Sequence, residues 1–258
     1  MLHKPQSLLL QCLLLLSSLV FLPKSFAQTA YVQELNRLEA QSNHKELFAK
    51  LLAFEPFNRL PTFTAQVEIK ETLDWLAKRG MRGPGSVRYT YNYAMWLWKT
   101  GIFDTATAVY LFGTIKARSD AARCEDQTSA PSRIRDYEAS LGGAVRANLG
   151  KLSYQEKVQI FELATTELET RLQMQPKDEW LCNGGMSFFT KYAAKHGKLG
   201  GQTVETPPGM IGQTVVVTDP DIKPDFIADQ EWLAKRRAPT AAQVEAVRKF
   251  LFDATNTK

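Results

Sequence analysis

The sequence predicts a mainly α-helical protein, built as an array of helical hairpins with at most one small β-hairpin near residues 203–218. Apolar residues recur at helical spacing through most of the chain. Capping residues, glycines and prolines mark the ends of these segments. One irregular stretch, 198–224, combines glycines and prolines with a run of valines that favours a strand. Of the 258 residues, 44% are hydrophobic and 23% are charged, a composition that excludes wholesale disorder.

Three short helices are predicted before residue 80. Asn43 and Glu46, three positions apart, are typical of the capped start of the second helix. Gly80 is the expected stop of the third helix, which follows Thr64, and residues 81–86 form a loop. The apolar stripes of the three helices are, in order, Tyr31, Leu35 and Leu38; Leu47, Phe48, Leu51 and Leu52; and Ile69, Leu73 and Leu76.

A long helix is predicted from Ser153 to Met174. Ser153 and Glu156 have the spacing of a reciprocal capping box, in which each side chain bonds to the other residue's backbone. Pro176 ends the helix, because the residue before a proline avoids the helical region. The expected apolar stripe consists of Val158, Phe161, Leu168 and Leu172.

Two further helices and a short hairpin are predicted in the C-terminal third. The first helix covers residues 186–196. Thr240 and Gln243 have the spacing of a second capping box, with the last helix following. Residues 203–205 could pair with the valine run at 214–218, and an extended surface loop is the alternative.

Residues 87–120 carry the most specific pattern, an aromatic helix followed by a second helix. The segment resembles one tetratricopeptide repeat, and it departs from that family's pattern at Thr90 and Arg118. The resemblance covers one unit and implies two helices joined near residues 100–104, with Ala106 where they cross. The matching positions are Tyr93, Ala94, Leu97, Gly101, Phe103, Asp104, Ala106, Tyr110 and Gly113.

The aromatic helix of this unit has two apolar faces and a narrow polar strip formed by Asn92 and Lys99. A helix that is apolar nearly all round is buried between neighbours, so we expect this one near the centre of the assembly. An aromatic platform for a ligand is the alternative. One face carries Tyr89, Tyr93, Trp96 and Thr100, and the opposite face carries Tyr91, Met95 and Trp98.

Residues 1–27 are typical of a secretory signal peptide. A short, weakly basic start precedes an uncharged apolar run at 7–22, and small residues lie at the −3 and −1 positions of a cleavage site. Cleavage is predicted between Ala27 and Gln28, which leaves 28–258 as a single helical domain. An uncleaved anchor is the alternative, but the run is shorter than the roughly 20 residues of a spanning helix. We expect a periplasmic or secreted protein without stable membrane insertion.

Cys124 and Cys182 are the cysteines of the expected mature chain. An even pair in an oxidising compartment predicts a disulfide. Free thiols, a nucleophile or a metal site are the alternatives. A metal site would need more ligands, and His44 and His196 are not spaced with either cysteine. We therefore predict a disulfide, no metal and no cofactor.

The charged residues identify weak candidates for a binding surface. The formal net charge of +5 is too small and too scattered to indicate a nucleic-acid partner. Residues 118–126 form a charge cluster around Cys124, which we interpret as a solvated helix end carrying ion pairs. Glu125 and Asp126 are adjacent, so their carboxylates diverge rather than converge on one substrate atom. The candidate surface residues are Arg118, Arg123, Lys235, Arg236 and Arg237.

No motif of an established catalytic chemistry occurs in the sequence. Together with the export signal and the helical hairpin, this favours a protein- or peptide-binding or scaffold component of the cell envelope. The partner is expected to be a protein or peptide of that compartment. The alternative is a hydrolase of envelope polymers that uses carboxylates distant in the sequence. Two carboxylates about 5–10 Å apart in a polar cleft would favour that enzyme.

Overall fold

The computed structural model is mainly α-helical, as predicted. It describes residues 28–59, 62–82, 85–166, 168, 177–197, 202–204, 214–216, 219, 221–235 and 237–253. The helices in this part of the chain are α1 (Ala30–Ala40), α2 (His44–Ala53), α3 (Phe63–Ala77), α4 (Val87–Lys99), α5 (Phe103–Ala121), α6 (Ala130–Leu149), α7 (Tyr154–Thr165), α8 (Glu179–Cys182), α9 (Met186–His196), α10 (Asp229–Lys235) and α11 (Arg237–Asp253). A short 3₁₀ turn, Glu55–Asn58, follows α2.

Two short strands lie between α9 and α10. Strand β1 (Gln202–Val204) pairs antiparallel with β2 (Thr214–Val216), and Thr203 is opposite Val215. The chain thus forms the small hairpin that the valine run predicts. The outer ends of the two predicted strands, at 205 and 217–218, lie outside the described residues, as do 1–27 with the predicted signal peptide.

Helices α4 and α5 form the predicted helical hairpin. Gly101 lies in the turn between them with a positive φ of 82°, a conformation that glycine adopts without steric cost. Trp98 and Phe103 pack edge to face across the turn, with ring centroids 4.8 Å apart. Ala106 is fully buried. The likeness of this hairpin to a tetratricopeptide repeat stays a prediction.

Helix α4 lies between two hydrophobic clusters, as its two apolar faces predict. Tyr89 and Trp96 belong to the cluster that α1–α3 build. Tyr91 and Met95 belong to the larger cluster around α5. The predicted polar strip is wrong at Asn92, which is fully buried and donates from Nδ2 to its own helix backbone. The two clusters therefore cover the two apolar faces of α4, and part of the strip between these faces is also buried.

Helix α5 is the centre of the larger cluster. Of its 19 residues, 13 are buried, because α4, α6, α7 and α11 all pack against it. A helix with neighbours on every side needs no polar face, so its sequence lacks a clear amphipathic pattern. The positions of α6 and α11 around α5 determine the site described below.

The predicted caps at Asn43 and Ser153 are confirmed. The Asn43 side chain accepts a hydrogen bond from the backbone N–H of Glu46. Ser153 and Glu156 form the complete capping box at the start of α7. Each cap satisfies a backbone N–H that the first turn of a helix leaves without a partner.

The predicted helix from Ser153 to Met174 is interrupted at Thr166, Leu168 is again helical, and residues 167 and 169–176 lie outside the described residues. Helix α7 ends at Thr165 because Thr166 has an extended backbone, with ψ at 130°. Val158 and Phe161 are half-buried, and Leu168 is buried. The buried face of α7 is centred on Lys157, Ile160 and Ala164. Leu172 and Pro176 lie outside the described residues.

Two predicted helix ends are wrong. Gly80 lies inside a π turn, Lys78–Arg82, that continues α3. A Cβ at Gly80 would lie 2.8 Å from the backbone nitrogen of Thr90, so this glycine permits close contact with α4 rather than ending a helix. Thr240 lies within α11 and is buried, with its hydroxyl bonded to Ser119. Helix α11 begins at Arg237, three residues before Thr240, and Pro239 lies in its first turn, where a proline is tolerated.

Cys124 and Cys182 lie at disulfide-bonding distance, with their Cα atoms 5.2 Å apart. Cys124 follows α5 and forms an isolated antiparallel bridge with Phe226, while Cys182 ends α8. This pair brings the segment after the central helix next to the C-terminal third of the chain. No helix within the described ranges is long and apolar enough to cross a bilayer.

Candidate functional site

A groove of about 670 Å³ lies between helices α5, α6 and α11. This volume is within the range of ligand sites in proteins. The groove is built from residues one helical turn apart, because such residues share one face of a helix. Its lining residues are Tyr110, Leu111, Thr114 and Arg118 of α5; Glu138, Gly142, Gly143 and Arg146 of α6; and Gln243, Ala246, Val247 and Phe250 of α11.

The floor of the groove is apolar. Leu111 and Val247 are buried beneath it, at 1% and 4% exposure, and both belong to the larger core cluster. Phe250 is half-buried and packs against the same cluster. Ala246, on the α11 wall, is exposed. An apolar floor with polar walls suits a ligand that inserts apolar groups and leaves its polar atoms at the rim.

An ion pair joins two walls of the groove. Arg118 donates from Nε and Nη2 to the Glu138 carboxylate, with all three N–O distances between 3.0 and 3.2 Å. The Arg118 side chain is 46% exposed and that of Glu138 is 23% exposed. Such a two-nitrogen contact fixes the geometry of both side chains, so the pair holds α5 and α6 in a defined relation.

A smaller cavity of about 380 Å³ continues the groove along α6. It shares Arg118, Glu138 and Gln243 with the larger cavity, and it adds Ile134 and Arg135 among its lining residues. The ion pair therefore lies at the junction of the two cavities. Together they follow one face of α6 from its first turn to its last.

Two adjacent glycines form part of the α6 wall. A Cβ at Gly142 would lie 2.8 Å from the Tyr110 hydroxyl oxygen, which in turn donates to the backbone carbonyl of Glu138 at 3.5 Å. A Cβ at Gly143 would meet no atom within 4 Å. Gly142 thus makes room for Tyr110, whereas Gly143 leaves space in the groove. Burial raises the pKa of Tyr110 to about 12, so its hydroxyl remains a donor near neutral pH.

The two ends of the groove carry arginines. Arg146 is exposed, with its guanidinium carbon 5.4 Å from the ring centroid of Phe250. Arg135, near the other end, is also exposed. Neither forms an ion pair with any residue that the structure describes. The lining residues of the two cavities therefore carry three arginines and one glutamate, an excess of positive charge.

The five basic residues predicted to form a binding surface do not lie together in the structure. Arg118 lines the groove. Arg123 is buried beside α10, with its guanidinium 5.5 Å from the Trp232 ring. Lys235 forms an ion pair with Glu231 one turn earlier on α10. Arg237 lines a separate cavity of about 520 Å³ between α7 and α11, and Arg236 lies outside the described residues.

The interpretation of residues 118–126 as a solvated helix end is wrong for its buried members. Asp120 is 3% exposed and Arg123 is 8% exposed. Asp120 forms a buried ion pair with Lys116, at 2.9 Å, on the inner side of α5. Burial raises the pKa of Asp120, and the Lys116 charge opposes that effect. The two charges face the core because helices pack against every side of α5.

Asp126 has a structural role. Its carboxylate accepts hydrogen bonds from the hydroxyl and backbone N–H of Thr128 and from the backbone N–H of Ser187 in the first turn of α9. Burial acts to raise the pKa of Asp126, but these hydrogen bonds outweigh it and lower the pKa to about 2. The carboxylate therefore caps a helix distant in the sequence.

The described cavities do not bring two carboxylates together. Glu138 is the one acidic residue lining each of the two groove cavities, and Glu245 is the one lining the third. His44 is exposed at the start of α2, and His196 contacts Asp219 at 2.8 Å. Neither histidine lines these cavities. The described residues hold no group of three or more potential metal ligands.

Sequence reasoning missed most of the groove. It identified Arg118, but it did not identify Glu138, Arg146 or the α11 wall. One local signal was available, since two consecutive glycines within a helical pattern are costly and need a reason. Comparison with models of known families, with curated proteins and with solved structures found no match to this chain.

Proposed function

We propose that this protein is an exported binding protein of the cell envelope, whose groove between α5, α6 and α11 holds a segment of another protein or a peptide. The observation that carries the proposal is the groove itself, with a buried apolar floor at Leu111 and Val247 and polar walls. Apolar grooves between helices are a recurrent site for peptide recognition. The helical hairpin at residues 87–120 belongs to the same proposal, as a unit similar to those that build binding surfaces.

The charges in the groove support binding over hydrolysis. Hydrolysis of a glycosidic bond needs two carboxylates, separated by about 5–10 Å. The groove has Glu138 alone, and Arg118 holds that carboxylate in an ion pair. A single carboxylate held by an arginine lacks the second carboxylate that such hydrolysis needs. The apolar floor and the ion pair beside it instead favour a surface that binds a partner.

Export is supported by two features. The first 27 residues have the pattern of a cleavable signal peptide. Cys124 and Cys182 lie at bonding distance, as expected of a protein that folds in an oxidising compartment. Mass analysis of the N-terminus of protein from the native host should give a chain that begins at Gln28. A mature chain that retains residues 8–22 would contradict the proposed export by cleavage.

The proposed binding is tested by photocrosslinking in intact cells. A photoreactive amino acid replaces Ala246, which is exposed and lines the groove, and in a control variant it replaces Lys249. Lys249 is exposed on the same helix but does not line the groove. We expect a discrete protein or peptide adduct from the Ala246 variant that is absent from the Lys249 variant. The same adducts from both variants, or none from either, would contradict the proposal.

A further inference from the structure

The charges along the groove are not balanced. Arg118 and Glu138 neutralise each other. Arg135 and Arg146 are exposed, line the two cavities, and form no ion pair with any described residue. A guanidinium is always protonated and binds carboxylates with defined geometry. The groove therefore presents two positive charges that a partner can pair.

The two arginines lie on one face of α6. They are 11 residues apart, which corresponds to a rotation of about 20° and a rise of about 16 Å along the helix. The groove itself follows α6 from Ala130 to Arg146, a rise of about 24 Å. A straight helix of about four turns has the same length, and its residues 11 positions apart also share one face.

Small residues allow close approach of such a helix. Gly143 has open space where a Cβ would be, and Ala246 is exposed on the opposite wall. Leu111 and Val247 line the same cavity and Ile134 lines the smaller one, and all three are apolar and buried. An amphipathic helix binds in a groove of this kind by inserting apolar side chains that are three or four residues apart.

We propose that the groove binds an amphipathic α-helix of another protein that carries two carboxylates, about three turns apart, beside its apolar stripe. These carboxylates pair with Arg135 and Arg146, while the apolar stripe covers the floor on both sides of the Arg118–Glu138 pair. This inference rests on the proposed function and names the class of partner. It commits to a helical segment of a different chain.

The experiment compares two synthetic peptides on the mature protein, residues 28–258. Both are 18-residue helical peptides of alanine and leucine with the same leucine stripe. One carries two glutamates 11 positions apart beside the stripe, and the other carries glutamines at those positions. The dissociation constants are measured by fluorescence anisotropy, and the amide signals of Gly142 and Gly143 report by NMR whether the peptide occupies the groove.

We expect the glutamate peptide to bind about fivefold more tightly at low salt, because two exposed ion pairs each contribute a factor of roughly two to three. The difference should shrink at high salt, where exposed charges are screened. Combined Arg135→Gln and Arg146→Gln should make the two peptides bind equally. Lys249→Gln, an exposed cation outside the groove, should leave the preference unchanged. Gly143→Leu should weaken the binding of both peptides by filling the groove.

Several outcomes would overturn the inference. Equal binding of the two peptides, or a preference that persists without the two arginines, would remove the role of charge. Unchanged binding to the Gly143→Leu variant would place the peptide elsewhere. A groove occupied by a second copy of the chain, seen as a dimer by sedimentation that peptide does not dissociate, would replace the proposed occupant. If the two peptides bind equally, if the preference persists without the arginines, or if Gly143→Leu leaves binding unchanged, while Ala246 still gives a specific adduct with another protein, the proposed function stands and this inference alone fails; a dimer that occupies the groove overturns both.

Discussion

Gly142 and Gly143 lie side by side in the interior of α6, but their surroundings differ. Glycine in a helix interior costs about 1 kcal/mol relative to alanine. At Gly142 the Tyr110 hydroxyl occupies the space of a Cβ, which explains the residue by packing. At Gly143 packing offers no such explanation, since no atom lies within 4 Å of that position. The space that Gly143 leaves belongs to the groove.

This contrast gives a prediction for two alanine variants. Gly143→Ala should raise the free energy of unfolding by about 1 kcal/mol, because alanine is the better helix former and its methyl group has room. Gly142→Ala should gain less or lose stability, because Tyr110 must move. Urea denaturation of both variants measures the difference. Equal stabilisation by the two changes would show that Tyr110 does not restrict Gly142.

The buried pair of Lys116 and Asp120 is a second feature at the scale of single residues. Both side chains are almost fully buried, at 1% and 4% exposure. Removing one partner of a buried ion pair leaves an uncompensated charge in the core, whereas replacing both by apolar residues is often nearly neutral. Each of the two residues is therefore needed because the other is present, whereas the pair as a whole adds little to the free energy of unfolding.

A double-mutant cycle tests this interpretation. We expect Lys116→Met or Asp120→Leu alone to lower the free energy of unfolding by about 3–5 kcal/mol. The double variant should be less destabilised than the sum of the two single changes, since no charge is left unpaired. Urea denaturation of the four proteins gives the coupling. Strict additivity would mean that the two charges do not interact.

At the scale of elements, the caps divide into local and distant ones. Ser153 and Glu156 cap α7 from within three residues, so their spacing alone predicts the bond. Asp126 caps α9 from 61 positions away, through the backbone N–H of Ser187. Gly185 permits this contact, because a Cβ there would lie 2.3 Å from the Asp126 carboxylate. Gly185 thus allows the start of α9 to lie against the loop that follows α5.

The distant cap predicts a dependence on acid. The pKa of Asp126 falls from its ordinary value of 3.8 in the unfolded chain to about 2 in the fold. Its contribution to stability is therefore complete above about pH 4 and is lost as the pH falls toward 2. Asp126→Asn should cost about 0.5–1.5 kcal/mol near neutral pH, because the amide keeps one of the two acceptor oxygens and loses the charge.

The measurement is the free energy of unfolding of Asp126→Asn and the parent protein from pH 7 to pH 2. The difference between them should shrink as the pH falls below about 4, because the parent loses its carboxylate there. Glu125→Gln is the matched control, since Glu125 is exposed and adjacent. A difference that stays constant down to pH 2 would contradict the role of the Asp126 charge.

At the scale of the whole molecule, the Cys124–Cys182 pair joins distant parts of the chain. The two residues are 58 positions apart, and closing a loop of that size contributes roughly 4 kcal/mol in the chain-entropy model. Asp126, two residues after Cys124, caps α9, so the cysteine pair and the cap both join the loop that follows α5 to the segment 182–187. Reduction should therefore loosen the packing of the C-terminal helices against α5.

We predict that thiol labelling of the unfolded, unreduced mature protein finds no reactive cysteine. Reduction should lower the free energy of unfolding by about 2–5 kcal/mol. The double variant Cys124→Ala and Cys182→Ala should be as unstable as the reduced protein, and reductant should have no effect on it. Labelling of two thiols in protein isolated from the native host would contradict the predicted bond.

The sequence by itself determined the local structure of this protein. The caps at Asn43 and Ser153 depend on residues within one helical turn, so their spacing was sufficient, whereas the turn at Gly101 was predicted from the resemblance to a tetratricopeptide repeat. The two buried faces of α4 follow from periodicity, since the rotation of 100° per residue assigns each side chain to a face. The cysteine pair was predicted because the expected mature chain, residues 28–258, contains two cysteines.

Only the tertiary structure decided which helices meet. Arg118 and Gln243 line one groove although they are 125 positions apart, a juxtaposition that no local spacing encodes. The charged segment around Asp120 is typical of a solvated helix end, but Asp120 faces the core because α4, α6, α7 and α11 all pack against α5. A hydrogen bond within one turn depends on neighbouring residues, as at Ser153, unless tertiary contacts engage them, as at Thr240, whereas burial depends on which distant surfaces pack together. For that reason the helices were predictable from the sequence and the groove was not.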